Sequence, residues 1–326
     1  MWCLLEVYIK PERVGEWLVL SYLNVTQRHA LYYTELGNRA GLPVLFVHGG
    51  PGSSCNPAHA QWLLPETCRI IQFDQRGCGH STPSGSLLGN HTAALVQDME
   101  ALRRHLGIHR WVVYGGSWGA TLALEYAKRF PLHVMGLLLR GTFLARREDW
   151  EWFSTPEGVA QYYPEAYQTL RKALGTHVGE NPVNSLYRHL INPRLPLETA
   201  YRYALAWEHW EATVIGVPLP AFHPDPQVWK ERVNRAKVHA HYCVNDFFLP
   251  PEGVLSGLEM AQQVSTILVH GIHDRVCRYS SAQALQAVLP QAQVMPVEAG
   301  HGMHEPALQR ALQMGMAYLN SNLLPT

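Results

Sequence analysis

A serine between glycines, an aspartate and a histidine, ordered Ser117, Asp274, His301 along 326 residues, are the residues of this sequence best suited to covalent chemistry. Ser117 lies in Gly115-Gly116-Ser117-Trp118-Gly119, a G-x-S-x-G pattern where an apolar, β-rich run meets a helix-like run. In that context a serine sits on a sharp elbow with its hydroxyl exposed. Small neighbours are required because a Cβ would collide with the turn and the adjoining helix. A hydroxyl is a poor nucleophile until a base takes its proton, and the base needs a third group to hold its tautomer. Asp274 in "VHGIHDRVC" and His301 in "VEAGHGMHEP" supply the acid and the base. "VLFVHGGPG" adds a glycine-rich turn, where the amide of Gly50, with that of Trp118, is placed to face a developing oxyanion. Losing one such donor typically costs ~2.7 to 4 kcal/mol of transition-state stabilisation.

Other histidines compete for these roles. His304 follows His301 closely, and His270 and His273 stand near Asp274; His301 is preferred because Gly300 and Gly302 flank it. His239 with His241, or His301 with His304, is a remote metal pair lacking the carboxylate or cysteine company of a zinc site, so no metal is expected.

Short β-branched or aromatic runs at 31–36, 44–48, 69–74, 111–115, 137–140 and 266–270 read as strands that would carry these residues at their ends. Within 90–106, Leu95, Val96, Met99, Leu102 and Leu106 recur at helical spacing, and Gly107 follows as a stop. Alternating strand and helix predicts a mostly parallel sheet covered on both faces. From 145 to 263 the chain is rich in Trp, Tyr, His and Pro, with helical periodicity in "LETAYRYALAWEHWEATV" and a stiff connector in "GVPLPAFHPDP". The expected organisation is a sheet core from 1–144 and 264–326 interrupted by a helical cap at 145–263. The order Ser, Asp, His is that of α/β-hydrolases, so the predicted class is α/β with that fold.

Lys plus Arg equal Asp plus Glu at 26 each with no long basic run, which argues against nucleic acid or an anionic membrane as partner. The expected partner is a small peptide or small-molecule acyl compound; oligomeric state is not readable. "MWCLLEVYIK" has no basic start and is broken by Glu6, so it does not read as a signal peptide. Six cysteines without CxxC spacing suit reduced thiols in the cytoplasm.

"HGGPG", "FDQRGCGHSTP", "GGSWGATLALEYA", "LLLRGTFLARR", "HYCVNDFF" and "AGHGMHEP" resemble the prolyl aminopeptidases, also called proline iminopeptidases, from about Tyr32 to Ala311. The resemblance implies an α/β-hydrolase with a helical cap that removes N-terminal proline by serine acyl transfer, without metal or cofactor. It assigns the triad to Ser117, Asp274 and His301 and the oxyanion hole to Gly50 and Trp118. It also implies that Phe143 and Cys277 line the pyrrolidine pocket and that Glu211 receives the substrate amine. Where the family has Glu-Asn-His-Tyr-Phe, this chain has His239-Ala240-His241-Tyr242-Cys243, so a second carboxylate and an aromatic wall are expected to be missing at His239 and Cys243.

Opposite charges 4 Å apart attract by roughly 4 kcal/mol at an effective dielectric of 20, and a protonated His239 would repel an ammonium instead. Weakened proline recognition, or an amidase or esterase acting on a different acyl group, is the alternative. A catalytically dead binding protein is disfavoured because all three triad candidates are present. Epoxide hydrolases and haloalkane dehalogenases place an aspartate where Ser117 stands. Arg76 and Cys78 are read as structural supports, with Cys78 a possible source of sensitivity to thiol reagents, and "SYLNVTQRHALYY" departs from the family's compact hairpin.

Overall fold

A computed structural model of the chain describes residues 7–8 and 17–323. The readings of Cys3 and of most of "MWCLLEVYIK" lie outside the described residues. Among the described residues, nine strands form one sheet: β1 (Val7–Tyr8), β2 (Trp17–Asn24), β3 (Ala30–Gly37), β4 (Leu42–Val47), β5 (Cys68–Phe73), β6 (Trp111–Gly116), β7 (Val134–Arg140), β8 (Ser265–Gly271) and β9 (Gln293–Val297). Their order is β1-β2-β3-β5-β4-β6-β7-β8-β9, antiparallel from β1 through β3 to β5 and parallel from β5 to β9. The expected departure from a hairpin near the N-terminus is not what forms. β2 and β3 pair in continuous antiparallel register from Trp17 opposite Gly37 to Asn24 opposite Ala30.

The central strands are apolar on both faces, as a parallel sheet under two helical layers requires. Leu45 and Val47 of β4 pack into one core with α1 (Thr92–His105) and α2 (Trp118–Arg129). Val44 and Phe46 face the opposite core, where Leu308, Leu312, Met316 and Leu319 of the last helix, residues Pro306–Leu323, close the other side. The sequence-predicted helix at 90–106 corresponds to α1, after which Gly107 takes the left-handed φ of 64°.

After β7 the chain leaves the sheet and builds α3 (Arg147–Ser154), α4 (Pro164–Leu174), α5 (Pro182–Leu190), α6 (Leu197–Ile215) and α7 (Pro226–Val244) before returning as β8. The punctuation is visible in the sequence. Proline opens α4, α5 and α7, Gly216 in left-handed conformation closes α6, and Asp225 caps α7 by accepting the Gln227 amide at 2.8 Å. α8 (Tyr279–Val288) joins β8 to β9, and α9 is Pro306–Leu323. Among the described residues, no helix is long and apolar enough to cross a membrane.

Candidate active site

The carboxyl ends of β4, β6, β7, β8 and β9 converge under the α3–α7 segment, the usual place for a site in an open α/β sheet. There they enclose a cavity of about 240 Å³ that Gly50, Ser117, Arg140, Cys277 and His301 all line. Ser117 has φ 56° and ψ −123°, a conformation a side chain rarely adopts. Its amide donates to Arg140 O at 2.9 Å, and α2 starts at the next residue. A Cβ on Gly115 would overlap the Gly119 carbonyl, and one on Gly119 would overlap the Val47 carbonyl. Bulk at either position would push the elbow off β4 and α2.

Asp274 and His301 come together across the β8–β9 edge: His301 Nδ1 lies 2.6 Å from Asp274 Oδ2. The other carboxylate oxygen accepts the amides of Val276 at 2.9 Å and Cys277 at 2.8 Å. Burial would raise the Asp274 carboxyl, but the charge and hydrogen bond of His301, with His270 and the Cys277 amide, hold it below the usual carboxylate range. The His301 loop is fastened from two sides. Glu305 accepts the Gly300 amide at 2.9 Å, and Arg140 Nη1 donates to His301 O at 2.7 Å. Gly141 has no side chain to intrude, since a Cβ there would stand 3.1 Å from the imidazole and 3.2 Å from Asp274 Oδ2.

The rival histidines are accounted for otherwise. His270 is buried with Nε2 against Cys277 O at 2.8 Å, His273 is exposed and pairs with Glu298 at 2.8 Å, and His304 is exposed. Among the described residues, no group of three or more His, Cys, Asp or Glu could hold a metal ion. The Ser117 hydroxyl contacts Cys277 Sγ at 4.0 Å, and the imidazole of His301 lines the same cavity. Catalytic hydrogen bonds in unliganded sites are often long and tighten on substrate.

Gly50, with φ 115°, borders the cavity, while the Trp118 amide is the first of α2, one of the donors a helix start leaves without an intrahelical partner. The indole of Trp118 is buried and donates to Gln75 Oε1 at 3.1 Å. Gln75 in turn donates to His48 O at 2.8 Å, which ties the glycine turn to the elbow.

Phe143, Glu211, His239 and Cys277 all line the cavity; Cys243 does not. Cys243 is buried one helical turn beyond His239, and Phe247 lines the cavity, its ring centre 4.9 Å from that of Phe143 and 5.7 Å from that of Trp150. At His239, burial pushes the imidazole down and Arg235 adds to this, while Glu211 and the Pro51 backbone pull it up, with burial the largest of the four.

Arg76 is structural, as expected, gripping Asp98 through Nε at 2.6 Å and Nη2 at 2.7 Å. Cys78 is buried, and burial pushes its thiol far above the usual range, which disfavours the thiolate. Sequence reasoning missed Arg140, Trp150, Phe153, Arg235 and Phe247 as cavity residues. Arg140 alone left a usable trace, a single charge closing the apolar run "LLLR".

Residues 43–307 match a family described as the alpha/beta hydrolase fold. A proline iminopeptidase of Neisseria meningitidis is 36% identical over 307 residues, covering 93% of this chain and 97% of its own. One from Arabidopsis thaliana is 37% identical over 293 residues, covering 89% and 77%. Among solved structures, a haloalkane dehalogenase variant from Bradyrhizobium elkanii superimposes with TM-score 0.63 at 19% identity, covering 93% and 98%. A proline iminopeptidase-related protein from Thermus thermophilus gives 0.57 at 22%, with the same coverage. With residues 43–307 matching the hydrolase family and proline iminopeptidases 36–37% identical over most of the chain, the chain belongs to the proline iminopeptidase family of α/β-hydrolases and is a hydrolase.

Proposed function

We propose that the chain hydrolyses the amide bond following a short N-terminal residue of proline size, through an acyl-enzyme on Ser117. The 2.6 Å contact between Asp274 and His301, at the rim of a cavity that Ser117 lines, is the observation that carries this reading. Asp274 keeps the proton on Nδ1, leaving the Nε2 lone pair to take the Ser117 proton as Oγ adds to the carbonyl carbon. The amides of Gly50 and Trp118 receive the oxyanion. Collapse expels the amine with the proton from His301, and a water repeats the sequence in reverse to release the acid. Residues 145–263 act as the cap over a core of 1–144 and 264–326, and limit the acyl group to what fits between Phe143, Phe153 and Phe247. A small peptide is the natural substrate class, because the relatives named above are proline iminopeptidases. The five described cysteines, all free thiols, agree with a reducing compartment such as the cytoplasm.

A second reading, an acyl group other than proline, is favoured by the contact between Glu211 and Arg235, 3.6 Å, which engages the expected amine receptor. The test of the shared chemistry is fluorophosphonate labelling with a panel of aminoacyl arylamides and aryl esters. Wild type should label at Ser117 and turn over members of the panel, and Ser117→Ala should lose both with an unchanged circular dichroism spectrum. A folded wild type that does not label at Ser117 would overturn the proposal.

A further inference from the structure

The end of the cavity beneath α6 and α7 carries charge that is already spent. Arg235 of α7 lies 3.6 Å from Glu211 and 3.9 Å from Glu208, and Arg232 lies 3.1 Å from Glu208, so two carboxylates face two guanidinium groups. An ammonium brought to Glu211 meets Arg235 beside it, and like charges at such range oppose binding. Arg235 is itself a wall of the cavity, and its half-exposed guanidinium keeps donors in excess of these contacts.

Beside it stands His239, 7% exposed, with ring centres of Trp207 at 5.3 Å and Trp150 at 5.9 Å. Its Nε2 is buried and has no hydrogen-bond partner, although the residue lines the cavity. The Pro51 backbone acts on the same imidazole as a hydrogen-bond acceptor. A neutral ring with its proton on Nδ1 presents a lone pair at Nε2, an acceptor in want of a donor. The subsite therefore offers one acceptor and, from Arg235, donors, with no net charge.

We propose that this subsite recognises an uncharged N–H donor adjoining a carbonyl, so that the acyl group the enzyme takes is a small cyclic lactam, of which 5-oxoprolyl is the simplest, in place of a free N-terminal amine. The proposal rests on the serine-hydrolase reading above and names its acyl class. The lactam N–H donates to His239 Nε2, the lactam oxygen accepts from Arg235, and the five-membered ring fits among Phe143, Trp150, Phe153 and Phe247. The bond cleaved is still the amide beyond the scissile carbonyl, with one water consumed and one amine released.

The test compares kcat/KM for 5-oxoprolyl and prolyl p-nitroanilides with the full chain, active sites counted by fluorophosphonate labelling. The lactam substrate should be preferred by at least about tenfold. Arg235→Gln, with its circular dichroism spectrum matched to wild type, should lower the lactam rate by about tenfold and raise the prolyl rate, and His239→Glu should invert the preference. A wild type that labels at Ser117 and prefers the prolyl substrate overturns the inference while leaving the hydrolase reading intact. Hydrolysis of aryl esters with neither arylamide turned over also overturns it. Absence of labelling overturns the parent reading and this one together.

Discussion

Ser117 occupies a backbone conformation that costs of order 1–3 kcal/mol, and the bond from its amide to Arg140 O at 2.9 Å helps to hold it there. The neighbouring glycines let two main chains approach the elbow without a clash, and Gly141 does the same beside the imidazole. Asp274→Asn keeps this geometry but sets an amide N–H against Nδ1, so the ring proton moves to Nε2 and the base is lost. The turnover number should fall by about 10³- to 10⁴-fold with far-UV circular dichroism unchanged; a fall under tenfold would place the base elsewhere. These residues could be read from the sequence because a serine, an aspartate and a histidine each stand in or beside a glycine-rich turn after an apolar run. Arg235 and Phe247 could not, since their place at the cavity depends on how two helices meet.

At the scale of elements, α1 and α2 are joined below the elbow by Glu100. Its carboxylate takes hydrogen bonds from Arg103 at 2.6 Å, Arg104 at 2.8 Å and Tyr126 of α2 at 2.9 Å. Burial would raise this carboxyl, but these three partners hold it down to about 2, below its ordinary 4.5. A depressed carboxyl stabilises the fold fully above its unfolded value and loses that contribution as pH falls through its folded value. Glu100→Gln should therefore cost about 2 kcal/mol in urea unfolding at pH 7, with the difference from wild type shrinking as pH drops from about 4.5 towards 2. A difference independent of pH would show that the loss is one of packing. Strands β3 to β8 were legible because β-branched and aromatic residues cluster in them. β9, "QVMPV", was not: it is short, only partly buried and contains a proline, so neither composition nor alternation marks it. β2 was missed as a hairpin partner because its pairing with β3 is a register, and a register is fixed only once both strands exist.

Across the whole molecule the five described thiols share one fate. Burial raises Cys55, Cys78, Cys243 and Cys277 well above the usual range and lifts Cys68 to about 11, so thiolate is scarce at neutral pH. Iodoacetamide at pH 7.5 should leave the hydrolytic rate unchanged, with intact mass and peptide mapping finding no adduct on these five; alkylation of Cys277 with loss of activity would show that its thiol ionises more readily than its burial implies. The proposed reacting groups hang from the ends of sheet strands, whereas Trp150, Phe153, Glu211, Ile215, Arg235 and His239 all belong to the single stretch between β7 and β8. One crossover at each end of that stretch would exchange these six cavity residues together between relatives in a single recombination. Selectivity in this lineage is thereby free to drift while the bond-breaking apparatus is inherited unaltered.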